Sequence, residues 1–113
     1  MVQKQLKKFV CDVEALKIPG SFKVFPATGG KDGIVINVAG EYHAYVNYCP
    51  HKGGPLLPED CAGAGKEGEK CLLKCQWHGS HFDAATGEIL TPPAESPLRK
   101  LELIVENGKI SYL

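Results

Sequence analysis

Long apolar runs and an excess of charge are both missing from this sequence. Apolar residues are interrupted every few positions, whereas a membrane-spanning helix needs about 20 in succession. Basic and acidic residues each number 13, so the formal net charge is zero, which argues against a nucleic-acid-binding surface. The first lysines are not followed by an apolar segment, so no secretory signal is expected. We therefore expect a soluble, cytoplasmic protein with no nucleic-acid or membrane partner.

Helical periodicity is also scarce, because only Asp12 to Leu16 resembles a short helix. A chain of 113 residues has room for one domain. Short apolar segments bounded by Gly, Pro, Asn or Asp predict strands at residues 22–25, 34–38, 42–46, 71–74, 80–82, 88–90, 98–105 and 109–113. Asn107-Gly108 between the last two segments is a strong hairpin signal. The pattern predicts a single all-β domain of the sandwich or barrel type.

Residues 58–70 break this rhythm, since they are rich in glycine and show no strand pattern. We expect an exposed loop there. Cys61 lies near the start of this stretch and Cys71 just beyond its end. A disulfide between them would close about ten residues and stabilise the fold by roughly 2–3 kcal/mol. Cytoplasmic thiols are usually reduced, so the sequence leaves both states open. Cys11 is interpreted as a buried apolar residue.

Two short motifs each pair one cysteine with one histidine, namely Cys49-Pro50-His51 and Cys75-Gln76-Trp77-His78. Glycines follow both, at Gly53-Gly54 and Gly79. They allow the backbone to approach a bulky group and leave N–H groups for an anion such as sulfide. A structural zinc site is a weaker alternative, because common zinc spacings pair Cys with Cys and His with His. A Cys–His nucleophile would leave one motif idle. His43 and His81 are interpreted as surface or hydrogen-bonded strand histidines.

The stretches 49–56 and 75–83, with sequences CPHKGGPL and CQWHGSHFD, resemble the Rieske iron–sulfur motif. The similarity continues through Thr86-Gly87-Glu88 and Pro92-Pro93, where the family has a proline loop. It implies a Rieske-like antiparallel β-sandwich of three small sheets. A cluster-binding subdomain at about residues 47–84, with two glycine-flanked loops, would be inserted into the β base domain.

The resemblance also implies a [2Fe-2S] cluster with two kinds of iron ligand. Cys49 and Cys75 would bind one iron, and His51 and His78 the other; the cofactor-binding residues expected around them are Gly53, Gly79, Ser80 and Pro92. Two neutral imidazoles in place of two thiolates raise the reduction potential above that of all-cysteine ferredoxins. High-potential members have an additional loop disulfide, which Gly54 and Trp77 cannot form. They also have a Tyr hydroxyl where this chain has Phe82, although Ser80 matches their Ser.

The chain therefore resembles the soluble Rieske-type ferredoxins. The expected function is one-electron transport from a flavin-dependent reductase to a terminal oxygenase, by a monomer that docks transiently and has no catalytic residues of its own. One alternative is a small subunit of a nitrite-reductase-type or other multi-subunit oxidoreductase. A redox-sensing or metal-storage module is a second alternative.

Overall fold

The structure, a computed structural model, describes residues 8–18, 20–27, 31–38, 40–47, 55–59, 71–77, 79–91 and 97–112. A short 3₁₀ helix, Val13–Leu16, follows the first strand. The strands are β1 (Lys8–Asp12), β2 (Phe22–Pro26), β3 (Asp32–Val38), β4 (Glu41–Val46), β5 (Leu56–Glu59), β6 (Leu72–Cys75), β7 (His81–Asp83), β8 (Lys100–Leu101), β9 (Leu103–Glu106) and β10 (Lys109–Tyr112). In these ranges, no helix has the length and apolar character needed to cross a membrane.

The strands form three small antiparallel sheets. Sheet A has the order β1-β10-β9, sheet B the order β2-β3-β4-β8, and sheet C the order β5-β6-β7. Sheet C is built from residues between Leu56 and Asp83, whereas sheets A and B are built from the chain before and after it. The predicted all-β fold with three small sheets is confirmed.

Strand β3 is buried on both faces and separates two apolar cores. Ile34 and Ile36 lie in the core shared with sheet C, which includes Leu73 and Phe82. Val35 lies on the opposite face, in the core that contains Ile110 of sheet A. A strand that is covered on both sides is expected to be continuously apolar rather than alternating, and the Ile34-Val35-Ile36 run has this character. Sheet B is thus the middle layer on which sheet C rests.

The hairpin predicted at Asn107-Gly108 is present, and strands β3 and β4 form a second antiparallel pair. Asn107 and Gly108 adopt φ of 52° and 72° between β9 and β10, as a two-residue turn of this kind requires. Strands β3 and β4 pair from Val38↔Glu41 to Gly33↔Val46. The predicted helical turn is also confirmed, and the Asn37 side chain donates to the Leu16 carbonyl at its end over 2.6 Å.

The single strand predicted over residues 98–105 is wrong. Strand β8 pairs with β4 through Ala44↔Leu101 in sheet B, whereas β9 pairs with β10 in sheet A. The chain changes sheets at Glu102, which belongs to neither strand. The apolar pattern of residues 98–105 does not reveal this change of sheet, because β8 and β9 both contain apolar residues. The predicted strand at 88–90 is reduced to one isolated bridge, Phe82↔Ile89.

Two strands were not expected from the sequence. Strand β5 includes Pro58 and Glu59, which were assigned to the loop; residues 60–70 lie outside the described ranges. Proline is tolerated because β5 is an edge strand of sheet C, where a missing N–H costs no ladder bond. Strand β1 was missed because its register shifts between Phe9 and Cys11, and such a bulge interrupts the period-two pattern.

Candidate metal centre

Cys75 is the last residue of β6, where the chain enters the turn to β7. Two backbone hydrogen bonds close this turn: Cys75 N donates to Ser80 O at 2.8 Å, and Gly79 N donates to Cys75 O at 3.0 Å. Gly79 has a φ of 79°, and no atom lies within 4 Å of the place a Cβ would occupy. Glycine is therefore favoured at position 79 by backbone conformation rather than by crowding.

The Cys75 side chain is fully buried and is not part of a disulfide. It shares the inner face of sheet C with its pairing partner Leu56. A thiol at a strand end, beside a turn and outside any disulfide, is suited to act as a soft thiolate ligand for iron–sulfur or zinc chemistry. Ser80 is also fully buried at the other end of the turn.

The segment that carries the first motif is fixed at both of its ends. The Asn47 side chain accepts a hydrogen bond from Leu56 N at 2.8 Å, so the residues on either side of 48–55 are joined. Gln76 N donates to Pro55 O at 3.0 Å. The chain just after the first motif therefore lies within hydrogen-bonding distance of the residue that follows Cys75.

Of the predicted site residues, the structure describes Cys75, Gly79 and Ser80, and it brings them together in one turn. The others lie outside the described residues: Cys49, His51, Gly53, His78 and Pro92. Within the described part of the chain, no group of three or more His, Cys, Asp or Glu side chains could hold a metal ion. Cys75 is thus the one predicted ligand whose surroundings are described.

Cys11 provides a contrast to Cys75. It is also buried and free of a disulfide, but it lies in β1, in the core between sheets A and B. Burial raises the pKa of the Cys11 thiol, against a smaller opposing effect of the Lys23 charge. A thiol held in its neutral form is a poor metal ligand, so the interpretation of Cys11 as an apolar core residue is supported.

Cys71 is disulfide-bonded and almost fully buried. Its partner lies outside the described residues, as does Cys61, so the suggested pair is not tested directly. Cys11 and Cys75 form no disulfide, which leaves Cys49 or Cys61 as the partner among the five cysteines. The open question of a reduced or oxidised Cys71 is answered in favour of the oxidised state.

The two additional histidines differ from each other. His81 is a hydrogen-bonded strand histidine, as expected: Nε2 lies 3.2 Å from Glu59 Oε2 and Nδ1 lies 3.2 Å from Thr91 Oγ1. His43 does not match the expectation, because its Nε2 is buried and lacks a hydrogen-bond partner. Glu59 and Thr91 could not be predicted as partners of His81, since they are 22 and 10 residues away from it in the chain.

Trp77 is the most exposed large apolar side chain among the described residues of the β6–β7 turn, with 66% of its surface accessible. It lies between Cys75 and the position of the predicted ligand His78. From the sequence, Trp77 was expected only to preclude a loop disulfide. Tryptophan is enriched at protein–protein interfaces because it joins a large apolar ring to a polar N–H group.

The chain matches the Rieske [2Fe-2S] domain family over residues 7–102. It is 31% identical over 101 residues to human (Homo sapiens) apoptosis-inducing factor 3, covering 89% of this chain and 15% of that protein. It is 30% identical over 102 residues to the 3-phenylpropionate/cinnamic acid dioxygenase ferredoxin subunit of Photorhabdus laumondii, covering 90% of this chain and 89% of that protein. A solved complex of reduced oxygenase and oxidized ferredoxin in carbazole 1,9a-dioxygenase superposes with a TM-score of 0.76 and 23% identity, covering 96% of this chain and 94% of the matched chain.

The chain therefore belongs to the Rieske [2Fe-2S] domain family. The cofactor of that family is a [2Fe-2S] cluster, as the paired motifs predicted. The donor chemistry at Cys75 fits this group, since a buried thiol outside any disulfide lies beside a closed, glycine-containing turn. The chain spans only about 15% of the length of the human relative, whereas it spans most of the ferredoxin subunit.

Proposed function

We propose that this chain is an electron carrier of the Rieske ferredoxin type rather than an enzyme. It accepts single electrons from a flavin-dependent reductase and passes them to a terminal oxygenase. The observation that carries the proposal is the junction of the two motif segments, where Gln76 N, next to Cys75, binds Pro55 O, next to the first motif. Because of this contact, Cys75 lies next to the place where the two Cys–His motif segments are hydrogen-bonded to each other.

Cys75 and Cys49 would hold one iron through thiolates, and His51 and His78 would hold the other through imidazoles. When bound, the cluster supplies a site that takes up and releases one electron. Gly53, Gly79, Ser80 and Pro92 would surround it within a subdomain of about residues 47–84. Burial of Cys75 and Ser80 excludes water from this side of the site. The remaining residues of the turn set how close a partner can approach.

The partners are proposed from two observations. The Photorhabdus relative is the ferredoxin subunit of a dioxygenase, and the superposed ferredoxin was solved in a complex with an oxygenase. Electron-transfer complexes are usually small and short-lived, and exposed Trp77 offers a compact apolar contact at the site. We infer a monomer that docks transiently through this end of the molecule.

A second candidate is a cluster-bearing module or small subunit of a larger oxidoreductase. The specific observation in its favour is the match to a short part of apoptosis-inducing factor 3. Size-exclusion chromatography of the protein purified from its native source separates the two candidates. A carrier elutes as a single small chain, whereas a permanent subunit elutes with its large partner.

The cofactor is tested by spectroscopy and analysis of the purified protein. We expect bound iron and sulfide in equal amounts, a brown-red colour and an electron paramagnetic resonance signal on one-electron reduction. Cys75→Ser should lose the cluster, whereas Cys11→Ala, at another buried free cysteine, should keep it. A colourless wild-type protein with stoichiometric zinc would disprove the proposal.

The carrier role is tested by stopped-flow measurement of electron transfer to an oxygenase. Trp77→Ala should slow the transfer by about tenfold at limiting protein concentration, the effect of losing roughly 1.4 kcal/mol of docking free energy. Phe9→Ala is the matched control, because Phe9 is 61% exposed but lies in sheet A. Equal rates for the two variants would contradict docking at the turn.

A further inference from the structure

A polar network lies on the outer face of sheet C, opposite its apolar core. Lys74 pairs with His81 across β6 and β7, and Glu59 pairs with Leu72 across β5 and β6. Leu73 and Phe82, on the other face, are fully buried. The side chains of Glu59, Lys74 and His81 therefore stand together on the face that is turned away from the core.

His81 connects three separate segments of this region. Its Nε2 lies 3.2 Å from Glu59 Oε2, and these residues belong to β7 and β5, the two edge strands of sheet C. On its other side, Thr91 Oγ1 lies 3.2 Å from Nδ1 and accepts a hydrogen bond from His81 N at 2.9 Å. The His81 carbonyl accepts from Leu90 N at 2.8 Å. The imidazole thus bridges the sheet across β6 and attaches residues 90–91 to β7.

Of the two neutral tautomers of the imidazole, only one fits the hydrogen atoms of this network. An ionised Glu59 can only accept, so Nε2 must carry a hydrogen. Thr91 Oγ1 already accepts from His81 N, and its single O–H is then available to donate to Nδ1. The Nε2–H form of His81 therefore satisfies all three contacts at once, and the network holds a single orientation of the ring.

The turn that carries Cys75 is held by the same two edge strands. From the β7 side, Ser80 O accepts from Cys75 N. From the β5 side, Pro55 O accepts from Gln76 N, and Pro55 directly precedes β5. Strands β5 and β7 therefore flank the turn on its two sides, and the Glu59–His81 contact links these two strands across β6 on the outer face of the sheet.

We propose that His81 is a positioning residue for the metal centre: acting through Glu59 and Thr91, it holds the β6–β7 turn in the geometry that retains the cluster. This inference rests on the proposed cluster site, but it does not depend on which partners exchange electrons with the protein. His81 does not act as a ligand in this proposal, because both of its ring nitrogens are engaged by Thr91 and Glu59.

The first experiment observes the imidazole itself by long-range ¹H–¹⁵N correlation. We expect the Nε2–H form for His81 in the wild type, with Nδ1 as an acceptor. Thr91→Val should move the Nδ1 resonance, and Thr91→Ser should restore it. An Nδ1–H form in the wild type, or an unchanged resonance in Thr91→Val, would overturn the network.

The second experiment measures the rate at which a chelator removes the cluster. Loss of a residue that orients a metal site typically weakens metal retention by 10-fold or more, so we expect Thr91→Val and His81→Phe to release iron about tenfold faster. Thr91→Ser and Glu59→Gln keep an acceptor for His81 and should release iron at the wild-type rate.

The matched control is Thr86→Val. Thr86 Oγ1 also accepts a backbone hydrogen bond, from Glu88 N at 3.2 Å, but it has no contact with His81. Equal release rates for Thr86→Val and Thr91→Val, or no recovery with Thr91→Ser, would overturn the positioning role. A wild-type protein that retains the cluster but reduces no oxygenase would disprove the carrier function alone, and one that binds no cluster would disprove both.

Discussion

The Tyr45 hydroxyl donates a hydrogen bond of 2.7 Å to the carbonyl oxygen of Ala84. Tyr45 lies in β4 of sheet B, and Ala84 directly follows β7 of sheet C. Both residues are buried. This bond is therefore a direct polar link between the base of the molecule and the sheet that carries the candidate metal centre.

Tyr45→Phe should destabilise the protein by roughly 1–3 kcal/mol, because the Ala84 carbonyl would remain buried without this donor. Urea unfolding at neutral pH measures the change. Tyr112→Phe is the comparison, since its hydroxyl donates to Pro26 O over a longer 3.1 Å in a partly exposed place. A Tyr112→Phe loss equal to or larger than that of Tyr45→Phe would contradict a special role for the link between sheets.

The same phenol predicts a loss of stability at alkaline pH. Burial, and secondarily the Asp83 charge, raises the pKa of Tyr45 above the ordinary value of 10.0. Above that value the unfolded chain releases the proton while the folded chain keeps it, so the unfolded state binds fewer protons and stability falls as pH rises. The contribution is fully present below pH 10.0. The stability difference between wild type and Tyr45→Phe should therefore shrink steadily as the pH rises above about 10; a constant difference there would contradict this.

Local signals in the sequence predicted much of the fold, and non-local contacts account for what was missed. Asn107-Gly108 encodes its own turn, because both residues adopt the positive φ that the turn needs. The interruption between β8 and β9 at Glu102 arises because the two strands pair in different sheets, and β4, the partner of β8, is remote from it in the sequence. Pro58 looked like a loop residue because its edge position is a property of the sheet, not of its neighbours in sequence.

The candidate site shows the same division. The spacing of Cys and His within each motif was sufficient to propose ligands, because each pair lies within four residues. The partners of His81 are remote in sequence, and Glu, His and Thr at such separations form no motif that predicts a hydrogen-bonded network. The Gln76–Pro55 contact is likewise formed by backbone groups, which any residue could supply.

Gly87→Ala should be more harmful than Gly108→Ala. Both glycines have positive φ, 80° and 72°, so each alanine costs about 1–2 kcal/mol in backbone conformation. A Cβ at position 87 would also lie 2.9 Å from Tyr45 Cε1, whereas a Cβ at position 108 would have no atom within 4 Å. Because the Tyr45 ring is tightly packed, we expect a further loss of about 1–3 kcal/mol at Gly87. Equal unfolding midpoints would show that the ring can move freely.

We expect the disulfide partner of Cys71 to be Cys61. Cys49 is the other remaining candidate, but pairing with it would remove a proposed iron ligand. Proteolytic mapping without reductant should recover residues 61 and 71 in one linked peptide. Cys61→Ala and Cys71→Ala should each lower the free energy of unfolding by roughly 2–3 kcal/mol, because the unfolded chain is no longer restricted by the cross-link. The double variant should show no further loss, since both changes remove the same bond. A peptide that links Cys49 to Cys71 would exclude the proposed ligand set.

The last prediction concerns the reduction potential, which Ser80 and Phe82 should set in opposite ways. Both side chains are fully buried, and they flank His81 on the inner side of β7, near Cys75. Rieske centres span roughly −150 to +300 mV, according to charge, hydrogen bonds to sulfur and solvent exposure. Phe82 offers no hydroxyl, and Trp77 precludes a loop disulfide, so we expect a potential in the lower part of that range.

Phe82→Tyr should raise this potential, and Ser80→Ala should lower it, because a hydroxyl that donates to the site favours the more negative reduced state. A hydrogen bond stronger by about 1 kcal/mol in the reduced state corresponds to roughly 40 mV, at ~59 mV per tenfold change for one electron. Protein-film voltammetry measures the three proteins, with Ser111→Ala in β10 as a control for loss of a hydroxyl far from the turn. A wild-type value near the top of the range, or a Ser111→Ala shift equal to that of Ser80→Ala, would show that these hydroxyls do not control the potential.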